Sequence, residues 1–188
     1  MLQNNIIGIT GGKRHGKDTT ANFIAERIPI VRVSFAEPLK RCAQELFAEQ
    51  KIDWENKDGE YLPIPGKHTV RDLYIAIGRG LRDYLDQNIW LWLAQNKIAC
   101  SAKPNSLVVI TDVRYPNEAQ LIRSLGGKVV KIVRPELLPY SEAEVQIAAI
   151  SSDYFLLNSG SLEDLRTKIQ ASLLPEIIKT MTEVGKQV

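Results

Sequence analysis

The sequence predicts a three-layer α/β fold: a five-stranded parallel sheet with helices on both faces, carrying a small helical insert. Three observations predict it. Short apolar, β-branched runs alternate with segments of helical periodicity, the pattern that demands crossover connections between parallel strands. A glycine-rich turn, Gly11–Gly16, joins the first such run to the first helix. The chain has 188 residues, 44% hydrophobic and 24% charged, enough for one domain with a full core plus an insert.

Taken in order, Ile6–Thr10 is apolar and β-branched and reads as a buried strand. After the glycine turn a helix is predicted over about Lys17–Arg27, with Phe23 and Ile24 facing the core and Pro29 stopping it. Ile30–Phe35 is the second strand. Pro38 suits the first turn of the next helix, where Leu39, Cys42, Ala43, Leu46 and Phe47 recur at helical spacing. Lys51–His68, rich in charge, Gly and Pro, reads as a loop or small flexible insert. Thr69 with Asp72 marks a capping box, and the helix it starts is expected to be interrupted or ended by Gly78 and Gly80. Asn88 caps a helix over Ile89–Ala102. Ser106–Thr111 is the third strand, Pro116–Leu125 a helix closed by Gly126–Gly127, and Lys128–Val133 the fourth strand. Pro135–Ser152 is irregular or partly helical, and Tyr154–Leu157 is the fifth strand. Ser161 and Asp164 cap a last helix whose Leu162, Leu165, Ile169 and Leu173 form one apolar stripe. The domain reading is a single domain with its core over about 1–50 and 104–188. It has a substrate-binding helical insert over about 51–103 and a lid-like segment over about 135–152.

Composition excludes several functions. A net charge of +2 without a basic stripe argues against nucleic acid as a partner. Cys42 and Cys100 lie far apart in no Cys-x-x-Cys pair, and His15 and His68 are the only histidines, so neither a disulfide framework nor a zinc site is expected. No apolar run reaches membrane-spanning length, and Met1–Asn5 leads straight into a strand. The expectation is no signal peptide, no membrane contact and a cytoplasmic location, bacterial or in a phage-infected host.

The chemistry is carried first by Gly11-Gly12-Lys13-Arg14-His15-Gly16-Lys17, which fits G-x-x-x-x-G-K between a strand and a helix. The glycines let backbone N–H groups point into the loop and cradle phosphate, and the helix N-terminus favours an anion. Lys17 is placed to hold the β- and γ-phosphates of a nucleoside triphosphate, read as ATP, and to follow the charge during transfer. The fold class is therefore the P-loop NTPase fold, with phosphate-binding residues Gly11, Gly12, Lys13, Arg14, His15, Gly16, Lys17, Asp18 and Thr19. Asp18 stands where Ser or Thr normally holds Mg²⁺. It either contacts the metal, directly or through water, or merely caps the helix.

Asp112 ends an apolar strand and is read as a holder of the Mg²⁺ water shell, with orientation of Arg114 or a structural hydrogen bond as alternatives. Arg114 lies just beyond that strand and suits a phosphate. Arg71, Arg79 and Arg82 share about three helical turns, and at least one is expected to reach substrate; Arg79 and Arg82 are not ranked. Trp90 and Trp92 cannot face the same way on one helix, so one packs in the core and the other lines a base pocket. Arg134 and Asn158 are read as flanking the adenine, or else as turn residues.

Gly12-Lys13-Arg14-His15-Gly16-Lys17-Asp18-Thr19 resembles the phosphate loop of the phage-type deoxynucleoside monophosphate kinases, where Lys-Arg-x-Gly-Lys-Asp-Thr is usual. Further resemblances follow in order: Phe35-Ala36-Glu37-Pro38-Leu39-Lys40, Val70-Arg71-Asp72-Leu73 through Gly78 with Trp90, Asp112-Val113-Arg114-Tyr115-Pro116-Asn117-Glu118-Ala119, Gly126-Gly127, Val133-Arg134-Pro135 and Asn158-Ser159-Gly160-Ser161-Leu162. The resemblance implies transfer of the γ-phosphoryl of ATP, with Mg²⁺, to a (deoxy)nucleoside 5′-monophosphate. Together with the readings of the individual residues it gives Lys17, Arg14 and Asp112 as catalytic residues, Lys40, Arg71, Arg79, Arg82, Trp90 and Arg114 as serving the acceptor, and Asp18 and Asp112 as serving the metal. It also implies a homodimer, for which the helices of Thr69–Ala102 could supply the interface.

Two departures stand out. The lid-like segment Pro135–Ser152 has no Lys or Arg, only Glu136, Glu142 and Glu144, so Arg14 within the loop is expected to supply the charge that lids usually bring. Ile75 stands where the family commonly has Gln, and Arg79 where it commonly has Thr. The alternative functions are another small-molecule P-loop kinase, such as a dephospho-coenzyme A kinase, and a non-enzymatic nucleotide-binding switch.

Overall fold

At the centre of the sheet is β1, Ile6–Thr10, buried at every residue. The structure is a computed structural model that describes residues 5–101, 105–137 and 142–184, with only the backbone described for 142–144 and 182–184. The expectations for Met1–Asn4, for the end of the helix at Ala102 and for 138–141 lie outside the described residues. β2 (Ile30–Val33), β3 (Leu107–Val113), β4 (Lys128–Val133) and β5 (Tyr154–Leu157) complete a sheet of order β2-β3-β1-β4-β5. All four pairings are parallel. β1 and most of β3 are buried on both faces and read as near-continuous apolar runs, whereas the edge strands β2 and β5 are only partly buried.

The faces divide by alternation. Ile7, Ile9, Leu107, Val109, Val130, Ile132 and Leu156 form one, packed against Ala21 and Ile24 of α1 (Lys17–Ala25) and against Leu165, Ile169, Leu173, Leu174 and Ile177. Those last residues lie on a helical run: α7 (Leu162–Lys168), a π-helical turn (Ile169–Leu173) and α8 (Leu174–Val184). The opposite face is covered by the helix Pro116–Ser124. A Cβ added at Gly8 of β1 would lie 2.4 Å from Cδ1 of its Ile122. Ile9, Ile24 and Ile132 are fully buried, and truncating any one to Ala would cost about 2–5 kcal/mol.

The described residues form two compact units, Met1–Ser34 with Gln95–Val188, and Phe35–Ala94. The first holds the sheet. The second holds α2 (Glu37–Leu46), α3 (Val70–Tyr84) and the first part of α4 (Ile89–Ser101). α2, read with the core from sequence, thus falls in the second unit, and the end of α4 in the first. In chain order α5 is Pro116–Ser124 and α6 is Glu142–Ala149. No described helix is long and apolar enough to cross a membrane.

Several expectations are corrected. α3 runs straight through Gly78 and Gly80, neither of which has a positive φ. Each glycine costs about 1 kcal/mol relative to Ala. The complete capping box of Thr69 and Asp72 and the continuing backbone hydrogen bonds outweigh that. The segment Lys51–His68 is held in place: Tyr61 pairs with Thr69, Leu62 N–H donates to His68 O at 2.8 Å, Leu62 is buried, and Trp54 stacks on Tyr74. β3 continues two residues past Thr111 to Val113. Leu162 is 68% exposed and leaves the apolar stripe, which continues instead through Ile177. Burial at 165, 169, 173 and 177 has a period of four, which drifts about 40° per step on an α-helix. The π-helical turn, with more residues per turn, takes up that drift.

Candidate phosphate-transfer site

The loop after β1 owes its path to three positive φ angles: Gly11 at 151°, Arg14 at 65° and Gly16 at 98°. Glycine is required twice. A Cβ at Gly11 would lie 2.4 Å from Ile132 O, and one at Gly16 would lie 2.8 Å from Asn158 Nδ2. Arg14 holds a left-handed conformation that costs a non-glycine residue about 1–2 kcal/mol. Gly16 is the N-cap of α1 and brings no side-chain cap, so the first N–H groups of the helix keep their capacity for an anion.

Lys17 folds back over this loop. Its Nζ donates to Gly11 O at 2.8 Å and to Gly12 O at 2.7 Å. An ammonium held at the mouth of a phosphate-sized nest can exchange those carbonyls for phosphate oxygens without a large movement. Lys13 and Arg14 are exposed beside it, His15 and Thr19 half-buried. His15 Nδ1 lies 3.2 Å from Ile132 O and 3.4 Å from Arg134 N, and its carbonyl accepts from Asn158 Nδ2 at 3.0 Å. The loop is therefore tied to the ends of β4 and β5.

Two hydroxyl–carboxylate pairs stand at the carboxyl edge of the same sheet. Thr111 Oγ1 donates to Asp18 Oδ1 at 2.7 Å, and Ser34 Oγ donates to Asp112 Oδ2 at 2.7 Å. A slip in strand register sets Thr111 and Asp112. Gly8 pairs with Ile110 but Thr10 with Val113, so both residues oppose the single Ile9, a bulge that re-aims their side chains. Mg²⁺ takes oxygen ligands and commonly keeps several waters, needing only one or two carboxylates besides substrate phosphates. Asp18 and Asp112 fit that donor set. Among the described residues no cluster of three or more His, Cys, Asp or Glu offers a more complete cage.

Arg114 follows β3, exposed, with its backbone N–H donating to Glu118 Oε2 at 2.7 Å. Glu118 is 3% exposed and also accepts from Tyr115 N at 3.1 Å, closing the capping box that starts α5. The hydrogen-bonding roles of three of these residues are not read from the sequence. Glu118 is visible there as a carboxylate three residues beyond an N-cap. The bonds of Ser34 and Thr111 carry no local signal, because their partners are 78 and 93 positions away.

The residues expected to serve the adenine part company. Arg134 is exposed, its Nε 3.5 Å from Glu136. Asn158 is buried, its amide spent on the loop. Farther along the chain, Lys131 donates to Ala148 O and Ile150 O, each at 3.1 Å, and anchors the end of α6. Burial lowers the Lys131 pKa. The side chains of Glu142 and Glu144 lie outside the described residues.

In the second unit, Lys40 occupies the first turn of α2, its N–H bonded to Ala36 O. Arg71 makes a two-pronged ion pair with Asp58, including Nη2 to Oδ2 at 3.1 Å, and that hydrogen bonding raises the guanidinium pKa further. Arg79 is exposed and Arg82 half-buried on α3. Trp90 is 3% exposed and donates its indole N–H to Gly78 O at 3.0 Å, while Trp92 is 61% exposed. Trp90 is thus the core tryptophan of the pair.

Comparison with known proteins gives a concordant result. Residues 61–169 match the family model described as deoxynucleotide monophosphate kinase. The phosphate loop lies outside that range, so loop and match are separate observations. A protein of Acanthamoeba polyphaga mimivirus assigned as a deoxynucleotide monophosphate kinase is 34% identical, across 87% of this chain and 93% of its own. The deoxynucleotide monophosphate kinase of Escherichia phage RB69 is 22% identical, across 89% of this chain and 99% of its own. The crystal structure of TT1252 from Thermus thermophilus superposes with a TM-score of 0.50 at 20% identity, across 92% of this chain and 98% of that one, a likeness of fold. With the loop, the 2-3-1-4-5 strand order and these relatives together, the chain is a P-loop kinase and belongs to the deoxynucleotide monophosphate kinase family.

Proposed function

We propose that this kinase transfers the γ-phosphoryl of ATP to the phosphate of a deoxynucleoside 5′-monophosphate, giving the diphosphate and ADP. The observation that carries the reading is the loop itself: an uncapped helix N-terminus, a nest of backbone N–H groups, and Lys17 poised over it. An acceptor phosphate oxygen attacks the γ-phosphorus while the bond to the β–γ bridging oxygen breaks. The attacking oxygen is already anionic, and the bridging oxygen leaves with the bonding pair on ADP, so the step needs no general base and no phosphoenzyme. It needs two polyanions brought together and their charge offset.

Lys17 holds the β- and γ-phosphates and follows the transferring group. Arg14, exposed on the loop, supplies the positive charge that the lid-like segment lacks. Lys40, Arg71, Arg79, Arg82 and Arg114 are the cations proposed for the acceptor phosphate, and Trp90 shapes the acceptor side from within the core. Arg134 is proposed to lie on the adenine, with Asn158 acting through the loop. Asp18 and Asp112 would hold Mg²⁺, directly or through water, and the metal would supply positive charge to offset that of the phosphates. A homodimer and a cytoplasmic setting are consistent with this reading.

A coupled kinase assay tests it, with ATP-Mg²⁺ and the four deoxynucleoside monophosphates, ribonucleotides alongside, and dephospho-coenzyme A and phosphomevalonate as controls. Turnover on at least one deoxynucleotide is expected. Turnover only on a control, or none on any acceptor, contradicts the proposal.

A further inference from the structure

We infer that Thr111 is a positioning residue for phosphoryl transfer: it brings from β3 a hydroxyl to Asp18, the residue directly after Lys17, and so fixes that carboxylate. The inference rests on the reading of Asp18 as a metal-facing group and goes beyond it. In the usual loop a hydroxyl follows the lysine on the helix, and a carboxylate ends the neighbouring strand. Here the helix position is a carboxylate, and the strand presents a hydroxyl followed by a carboxylate, Thr111-Asp112. The helix thus carries a second carboxylate and the strand an added hydroxyl, and the 2.7 Å bond from Thr111 Oγ1 to Asp18 Oδ1 joins them.

Several features make this a device for orientation. A bond to an exposed carboxylate adds little stability, because water replaces it readily. Thr111 is β-branched, so its χ1 is stiff and its hydroxyl is held by the strand. The register slip opposite Ile9 makes room for Thr111 and Asp112 at one sheet position. With Oδ1 engaged, Asp18 is confined to few rotamers and keeps Oδ2 for an outer ligand. Among the described residues no hydrogen-bond donor reaches Oδ2. Groups that orient a metal-facing carboxylate commonly change metal affinity by ten- to a hundredfold when removed.

Thr111→Val deletes the hydroxyl and keeps the shape; Thr111→Ser keeps the hydroxyl, and Thr111→Ala serves if the valine variant folds poorly. The readouts are Mn²⁺ binding in the presence of ADP, by electron paramagnetic resonance, and the Mg²⁺ dependence of turnover. Thr111→Val should weaken Mn²⁺ binding roughly tenfold, Thr111→Ser should restore most of it, and Asp18→Asn should match the valine variant. The double variant Thr111→Val/Asp18→Asn should be no weaker than either single one. In Thr111→Val, ADP affinity without metal and thermal stability should stay unchanged. Weak metal binding in Asp18→Asn with normal binding in Thr111→Val overturns the role of Thr111 and leaves the reading of Asp18 standing. Normal metal binding in both overturns the reading of Asp18 and this inference with it.

Discussion

Replacing Asn158 by Ala separates two roles for a residue at the end of the fifth strand. Its side chain is 7% exposed, and Nδ2 donates to His15 O at 3.0 Å, inside the phosphate loop. Its backbone N–H, bonded to Val133 O at 2.8 Å, survives the substitution. The loss is therefore one buried neutral hydrogen bond and one carbonyl left unpaired, about 1–2 kcal/mol. For a chain of this size each kcal/mol moves Tm by about 2–4 °C, so a fall of about 2–8 °C is expected. If most of that energy holds the loop in its phosphate-binding shape, KM for ATP rises about five- to tenfold. The decisive assay compares donors. A residue that holds the loop weakens ATP, GTP and inorganic tripolyphosphate alike. A residue that reads the adenine edge weakens ATP far more than GTP and leaves tripolyphosphate unchanged. An unchanged Tm together with a selective loss for ATP would refute the loop-holding account.

Other substitutions probe other links. Arg14→Ala should lower kcat much more than it raises KM for ATP, because the loop cation acts on charge that develops during transfer; near-normal turnover would sink that role. Trp90→Phe removes the indole N–H bond to the Gly78 carbonyl at 3.0 Å but leaves that carbonyl within the continuous α3, and should cost about 0.5–1.5 kcal/mol in chemical denaturation. Hydrogen bonds from Thr69 and Ser161 hold the Asp72 and Asp164 carboxyls below their ordinary pKa of 3.8. Since both folded-state values are depressed, the stability they add is complete above pH 3.8 and is lost as pH falls through the lowered values. Tm measured from pH 5 downward should therefore fall less steeply below about pH 4 in Asp72→Asn/Asp164→Asn than in the parent protein.

What was legible in the sequence follows from range. The five strands, the glycine loop and the capping boxes at Thr69 and Ser161 rest on neighbours within a few positions, and alternation or spacing reveals them. α3 running through Gly78 and Gly80 was not legible, because propensity is a weak prior that a strong start and a packed face override. The four-residue burial period of Leu165, Ile169, Leu173 and Ile177 was hidden for a similar reason. It needs a π-helical turn that no local signal announces. At the site, Lys17 and Gly16 could be read from spacing alone. The partners of Asp18 and Asp112 come from other strands of the sheet, so only the fold brings them together.

The reaction proposed for this chain is direct transfer between two phosphates. Single-turnover reaction with γ-labelled ATP and a deoxynucleoside monophosphate tests it. Direct transfer puts label in the β-phosphate of the new diphosphate, formed in step with ADP, with little loss of label to inorganic phosphate when the acceptor is omitted. Release of labelled inorganic phosphate at the same rate with and without acceptor, and no labelled diphosphate, would contradict it.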